Sequence, residues 1–426
     1  MPNSIRVFEY SRLNIGEKGF QQAHFEQLVR YNERHANRYF TVGNGRIYFN
    51  SYVGVVQVGN LTIEILPKAD KNQADTEGDK NKWQRALLAM LHVTNNIRVE
   101  SLTEALLRLR TANLMDIYFQ SFVSEVQKLK HEGLVKKYRL ESAHVKAWKG
   151  RLDFGQQLTQ NIVHRERFYT EHTIFDGDNV FNQILKAALT ILGPLSKNGF
   201  LRTPIQSLLL DFQDIKATQP TLKTFDCLKF DRKTERYSRA IALAKMIILH
   251  HTPDVQNGKN GVIALLFDMN HLFESYIFKI LKKQESAFSD NQLVFSAQES
   301  RGFWASDSQT KTIRPDIIAE FVKAGKKCKI IIDTKWKLPM SNKPDDNDLK
   351  QMYAYNLHFN AQRSILLYPN IGQPTIKGKY AESQALNDFM HGCEMHFAEL
   401  FDAQNRLDTE GVIFRERFVP LLLVEN

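Results

Sequence analysis

The sequence predicts a mixed α/β fold, α+β overall, in which a β-rich and helical N-terminal part precedes a C-terminal α/β domain. Three observations carry that expectation. Short β-type runs separated by Gly and Asn fill residues 38–66. Apolar residues at helical spacing dominate from Trp83 to about residue 250. Beyond residue 261, helical and strand-like segments alternate, as they do where helices flank a central sheet. Three regions follow: a β-rich domain at 1–82, a helical and basic region at 83–255, and an α/β domain at 256–426. The main break lies where Pro253, Gly258 and Gly261 cluster.

Taken in order, Gln21–Arg34 reads as a helix. The runs Arg38–Val42, Arg46–Tyr52, Val53–Val58 and Leu61–Leu66 read as strands. Gly43-Asn44-Gly45 and Gly59-Asn60 supply residues that tolerate positive φ, so 38–66 reads as two successive hairpins ended by Pro67. Residues 69–82 (ADKNQADTEGDKNK) lack large apolar groups until Trp83 and read as a solvated or disordered loop. Helices follow, with Leu102, Leu106 and Leu109, and then Phe119, Val123 and Val126, at i, i+4 and i+7, and with Gly133 as a stop. Residues 134–155 read as extended. Two further helices, DNVFNQILKAALTILGPL and ERYSRAIALAKMIILHH, close the middle region. In the last region a helix at Asn270–Lys282 leads to strands near Gln292–Phe295, Arg314–Phe321 and Lys329–Asp333. A helix at Asn347–Ala361 and a strand at Ser364–Tyr368 come next.

The chain has 426 residues, 43% hydrophobic and 24% charged, which suits a globular protein with a sizeable core. No apolar run is long enough for a membrane span, and the N-terminus does not read as a secretory signal. Cys227, Cys328 and Cys393 are odd in number and far apart, which argues against a disulfide framework or a zinc site and for a reducing cytoplasm. The net charge of +10 favours a polyanionic partner, although solubility alone accounts for mild basicity. There is no G-x-x-x-x-G-K-[ST] phosphate loop, no H-E-x-x-H, no G-x-S-x-G and no Gly-rich dinucleotide fingerprint.

Chemistry concentrates in RPDIIAEF (314–321) and KIIIDTKWK (329–337). Both are short β-branched runs with Gly325 in the connection, so they should pair as a hairpin. Period-2 alternation puts Asp333 and Lys335 on one face, and Asp316 meets them from the partner strand. Two carboxylates suit Mg²⁺, with the Thr334 carbonyl as a further ligand, and Lys335 suits orienting a water or offsetting transition-state charge. A D-x-K triplet alone means little. What raises it is Pro315 before Asp316 and the emergence of Asp333 from three isoleucines. Glu274, on the preceding helix, either reaches the metal or is an exposed helix glutamate. Gln351 and Tyr355 share a helix face at i, i+4, positioned for the metal shell or the DNA backbone, or for a structural role. The basic residues Lys136, Lys137, Arg139, Lys146, Lys149 and Arg151, interleaved with Tyr138 and Trp148, suit a partner surface together with the N-terminal hairpins, or else a DNA track or a plain solvated face.

Arg314-Pro315-Asp316, Asp333-Thr334-Lys335 and Gln351-x-x-x-Tyr355 resemble the PD-(D/E)xK (restriction-endonuclease-like) nuclease superfamily in its Q-x-x-x-Y branch. Residues 53–68, 149–155, 178–189 and 267–277 are in addition similar to the McrC family, the nuclease subunits of McrBC-type modification-dependent (5-methylcytosine) restriction systems. That resemblance implies a Mg²⁺-dependent DNA endonuclease that works only with an McrB-like AAA+ GTPase ring. The ring would bind the GTP, read double-stranded DNA carrying modified cytosine, and be stimulated by the N-terminal part of this chain. It also implies catalytic roles for Asp316, Asp333 and Lys335 and accessory ones for Glu274, Gln351 and Tyr355. The sequence departs from many superfamily members in using Asp rather than Glu at 333. Two other functions fit the residues: a stand-alone repair nuclease of the same superfamily, which would cut DNA ends with Mg²⁺ alone, and a non-catalytic assembly factor with a structural acidic cluster.

Overall fold

In the computed structural model, the residues described are 3–68, 76–94, 114–164, 166–196, 199–252, 261–306, 309–337, 339, 343–370, 374–380 and 391–423. The chain divides into two compact units. One joins residues 1–114 to 266–426, and the other is residues 115–265, inserted between them. This differs from the expected three-part division, which separated residues 1–82 from the C-terminal domain.

The first unit begins with β1 (Asn3–Phe8), β2 (Arg12–Asn14), α1 (Gln22–Arg34), β3 (Phe40–Gly43), β4 (Arg46–Phe49), β5 (Tyr52–Val58) and β6 (Leu61–Leu66). Both expected hairpins form, β3–β4 and β5–β6, but they belong to different sheets. β1 adds to β6 in parallel, Asn3 opposite Leu61 through Phe8 opposite Leu66, and β2 adds to β4. All six residues of β6 are buried, as a strand covered on both faces requires. The expected loop at 69–82 is corrected at its end. A helix, α2 (Glu77–Val93), starts there, because Thr76 caps it by accepting the Asp79 amide and the polar residues are its first turn. Residues 69–75 lie outside the described residues.

The inserted unit holds α3 (Leu114–His131), β7 (Lys137–Val145), β8 (Arg151–Leu152), α4 (Phe154–Gln160), β9 (Phe168–Asp176), α5 (Val180–Leu195), α6 (Gly199–Asp211) and α7 (Ser238–Leu249). Phe119, Val123 and Val126 are buried in α3, as their spacing predicts. Leu102, Leu106 and Leu109, like Pro253 and Gly258, lie outside the described residues. The extended stretch 134–155 finds its partner in β9, which runs antiparallel to β7 from Val145–Phe168 to Lys137–Asp176.

β10 (His251–Thr252) and β11 (Val262–Asp268) lead back to the first unit. There α8 (Met269–Lys283), β12 (Val294–Ala297), β13 (Arg301–Ala305), β14 (Thr310–Ile313), β15 (Ile317–Lys323), β16 (Lys326–Thr334), α9 (Asp346–Phe359), β17 (Arg363–Pro369), β18 (Ile376–Lys379) and β19 (Gly392–Ala398) follow. Six strands make one sheet in the order β12-β15-β16-β17-β19-β18. β15 and β16 are the expected hairpin, tighter than the sequence suggested. Lys323 pairs with Lys326 across Ala324-Gly325, both at positive φ, 46° and 75°, which Gly325 adopts freely and Ala324 adopts against its side chain. β17 then lies parallel to β16, with α9 as the crossover. Met352, Tyr355 and Phe359 of α9 pack against Ile318, Ile331, Leu366 and Met395, which fixes which face of the sheet carries this core.

Candidate active site

Ile331 of β16 and Ile318 of β15 face α9 and sit opposite each other. Counting two residues from each along its strand reaches Asp333 and Asp316. Extending the register Ile318↔Ile331, Ile317↔Ile332 by one residue puts Asp316 opposite Asp333, so the two carboxylates share the α9 face. Asp316 precedes β15 rather than lying in it, a small correction that follows from Pro315, which has no amide to give a ladder. Lys335 likewise comes one residue after the end of β16.

Asp333 is 2% exposed. Its Oδ2 faces the Lys335 Nζ at 2.6 Å, and that ammonium also lies 3.2 Å from Asp348 Oδ1 and 3.4 Å from Gln351 Oε1. Asp316 Oδ2 accepts two hydrogen bonds from Thr334, one from its amide at 2.7 Å and one from its hydroxyl at 2.9 Å. Burial, and then the neighbouring Asp333 and Glu274 carboxylates, push the Asp316 carboxyl up to about 7 against the two Thr334 bonds. Burial also raises Asp333, offset in part by Lys335 and reinforced by Asp348 and Glu274. For Lys335, burial alone would favour the neutral amine. Asp333 and Asp348 outweigh it and hold the group above the ordinary lysine range, so it stays an ammonium.

These groups open on a cavity of about 460 Å³ lined by Glu274, Asp316, Asp333, Lys335, Trp336 and Gln351 among others. Glu274 is on its wall, with Oε1 accepting from Gln298 Nε2 at 2.6 Å and Oε2 3.4 Å from His271 Nδ1. Gln351 Nε2 donates to Tyr355 Oη at 2.8 Å, and that hydroxyl donates to the Arg314 carbonyl at 2.9 Å. The Q-x-x-x-Y pair therefore ties the chain entering β15 to the lysine leaving β16. Among the described residues, no three His, Cys, Asp or Glu side chains are drawn together as a ready metal cage.

The model of the McrBC 5-methylcytosine restriction system component family matches residues 47–369, about three quarters of the chain. The chain belongs to this McrBC family. No curated protein matches it. Among solved structures, this McrBC-family chain is similar to a chain of the Thermococcus gammatolerans half-complex refined from a tetradecameric assembly of McrB AAA+ hexamers with bound McrC. The identity is 18% and the TM-score 0.65, covering 97% of this chain and 98% of that one. A second T. gammatolerans McrBC complex matches at 20% identity with a TM-score of 0.48, over 65% of this chain and 87% of that one. The mixed α/β architecture is thus that of a McrBC-family chain along nearly its whole length.

Sequence reasoning missed two groups around the site. Asp348, buried in the first turn of α9, pairs with Lys335 and, through Oδ2 at 3.1 Å, with Lys337. It stands in the run Pro344-Asp345-Asp346-Asn347-Asp348, where the acids look like ordinary helix-start residues. Glu9, just past β1, is buried and accepts from the indole of Trp336 at 2.7 Å and from the Lys68 amide at 2.8 Å. Burial pushes its carboxyl up to about 8 despite those bonds.

The six basic residues proposed as a contact surface all lie in the inserted unit. Lys137 pairs with Asp231 and Arg139 with Asp176, so those two are engaged within the fold, whereas Lys136, Lys146, Lys149 and Arg151 are exposed. The surface around them is apolar as well as basic. On β7 and its surroundings Tyr138 is 76% exposed, and Leu140, Trp148, Phe154, Leu158 and Phe175 are also open to solvent. No helix among the described residues is long and apolar enough to cross a membrane.

Proposed function

We propose that this McrBC-family chain is the McrC-type nuclease subunit of a modification-dependent restriction complex, a PD-(D/E)xK endonuclease acting on double-stranded DNA. One observation carries the reading. Asp316 and Asp333 meet from neighbouring strands on one sheet face, at an open cavity, with a charged lysine beside them. Their carboxyl groups are raised because burial and mutual crowding outweigh the one lysine that pairs with Asp333.

A hard divalent ion fits that donor set. Asp316 and Asp333 would hold Mg²⁺ with the Thr334 backbone carbonyl, water completing the shell, since Mg²⁺ keeps several waters and few protein ligands. Bound there, it would polarise the scissile phosphate and favour hydroxide near neutral pH. Glu274, already bonded to Gln298, supports this shell from the cavity wall. Lys335 remains protonated, so it cannot take a proton from the attacking water. It orients that water and offsets charge developing on the phosphate. Asp348 and Gln351 hold its Nζ in place, and Gln351 and Tyr355 lock the ends of β15 and β16 together.

The chain lacks a phosphate loop, so any GTP requirement belongs to a partner. We assign that role to an McrB-like AAA+ ring. The support is the family membership and the exposed apolar and basic residues on and around β7, β8 and α4. The ring would read the modified cytosine, and this chain would stimulate its GTPase. The complex would act in the cytoplasm, where three free cysteines stay reduced.

The test is cleavage of methylated and unmethylated duplex with the co-purified AAA+ partner, GTP and Mg²⁺, each omitted in turn. Cleavage of methylated DNA only when all are present is expected. Cleavage of DNA ends by this chain and Mg²⁺ alone would favour a stand-alone repair nuclease. Restriction that survives Asp333→Ala in a folded protein would leave only an assembly role.

A further inference from the structure

Between Gln298 and Asp316 the chain leaves the main sheet and returns as the two-stranded ribbon β13–β14, an element the sequence pattern does not announce. Its base is the candidate active site. Ala297 pairs with Ile317, and the Gln298 amide donates to the Asp316 carbonyl at 3.1 Å. The ribbon therefore continues β12 and β15 directly past the first of the two carboxylates. Its root is fixed: Arg301 donates to the His358 carbonyl at 2.9 Å and lies over the Phe359 ring, and Tyr355 holds the Arg314 carbonyl.

Beyond that root the ribbon has no core behind it. Residues 302–305 and 310–312 are all exposed. A two-stranded ribbon is marginal in water by itself, and large aromatics on one add little to the free chain's stability. Yet Trp304 is 52% exposed and sits directly across from Lys311. The register shifts between Gly302 and Trp304, so Phe303 is the extra residue of a bulge, and its ring packs on His358 with centroids 5.3 Å apart. That leaves Trp304, Lys311 and the exposed Arg314 as an aromatic group and two cations. Among the described residues neither cation has an acidic partner within ion-pairing distance. A two-stranded ribbon fits the major groove, cations contact phosphate without reading sequence, and an indole adds stacking or sugar contact.

We infer that the β13–β14 ribbon is an arm that grips double-stranded DNA beside the scissile phosphate, through Trp304, Lys311 and Arg314. The inference rests on the nuclease reading and supplies that site with its duplex contact.

The experiment measures binding of a short fluorescent duplex by the full-length chain with its co-purified AAA+ partner, in metal-free buffer so that nothing is cut. Trp304→Ala/Lys311→Ala should weaken binding by roughly tenfold and leave the melting temperature unchanged, since both side chains are exposed. Lys311→Ala alone should reduce the salt dependence of log K by about 1. Undiminished affinity in the double variant overturns the inference, as does a parent complex that binds no duplex. So does loss of partner co-purification with DNA affinity intact, which would make the ribbon a protein-docking element. A parent that binds duplex through the ribbon but never cuts it with Mg²⁺ and GTP sinks the nuclease reading and leaves the ribbon's DNA contact standing.

Discussion

The main sheet carries two buried clusters of carboxylate and cation, and they are built on opposite principles. On β17 and β19, Glu394, whose side chain is 1% exposed, receives two bonds from Arg363 at 2.9 and 2.8 Å and lies 2.6 Å from His396 Nε2. One acid there meets a guanidinium fork and an imidazole. At the ends of β15 and β16, by contrast, four acids, Asp316, Asp333, Asp348 and Glu274, gather with Lys335 paired to only two of them, Asp333 and Asp348, and a cavity opens beside them. The first cluster is saturated within the protein. The second holds more acids than cations, and burial and crowding push Asp316 and Asp333 toward the protonated form. Burying charge without its complement is costly, so such a site is retained for what it will receive.

That contrast can be broken in four ways. The largest effect should come from Asp333→Ala, which ought to lower the cleavage rate by about a thousandfold, on the order of 4 kcal/mol of transition-state stabilisation, while the protein still binds its partner. Single-turnover cleavage measures it, and near-normal rates would make the open cluster as structural as the closed one. Glu394→Ala should do the reverse. Removing one member of a buried ion pair costs about 3 kcal/mol of stability, read by chemical denaturation, with little change in the cleavage rate of the protein that remains folded.

The third effect is a pH dependence. The Asp316 carboxyl is raised from its ordinary value to about 7, so without metal the fold favours the protonated acid. Its stabilising contribution is complete below about pH 4 and is lost as pH rises through 7. Metal-free melting temperature should therefore decline over that window, and Mg²⁺, which needs the carboxylate, should restore it increasingly above pH 7. Asp316→Asn should flatten both curves. The smallest effect is Asp348→Asn. With Asp333 and Gln351 still in contact, Lys335 loses one of three partners, and cleavage should fall about tenfold, equivalent to about 1.4 kcal/mol.

The two strands of the candidate site were readable in the sequence because a run of three isoleucines that ends in Asp-Thr-Lys carries charge straight out of a core, which a purely structural strand rarely does. The Gly325 turn and the period-2 rule did the rest. Other elements left no such local signal. β1 pairs in parallel with β6 nearly sixty residues downstream, and parallel partners have no turn between them to betray the pairing. The ribbon β13–β14 shows no alternation of buried and exposed residues, because it buries neither face. Asp348 was hidden among helix-starting acids. The stretch 134–155 announced its charge and its interleaved aromatics Tyr138 and Trp148, but not the exposure of Leu140, which looks like core until the fold leaves it outside.

The hydrogen bond from Trp336 to Glu9 ties the ninth residue of the chain to the one that follows Lys335. A gene fragment starting near residue 256 would encode every residue assigned to cutting, yet it would strand that indole and strip the adjoining β-sheet of its opening strands. Such a fragment would leave behind packing on which the candidate site rests, and it should be less stable than the full chain.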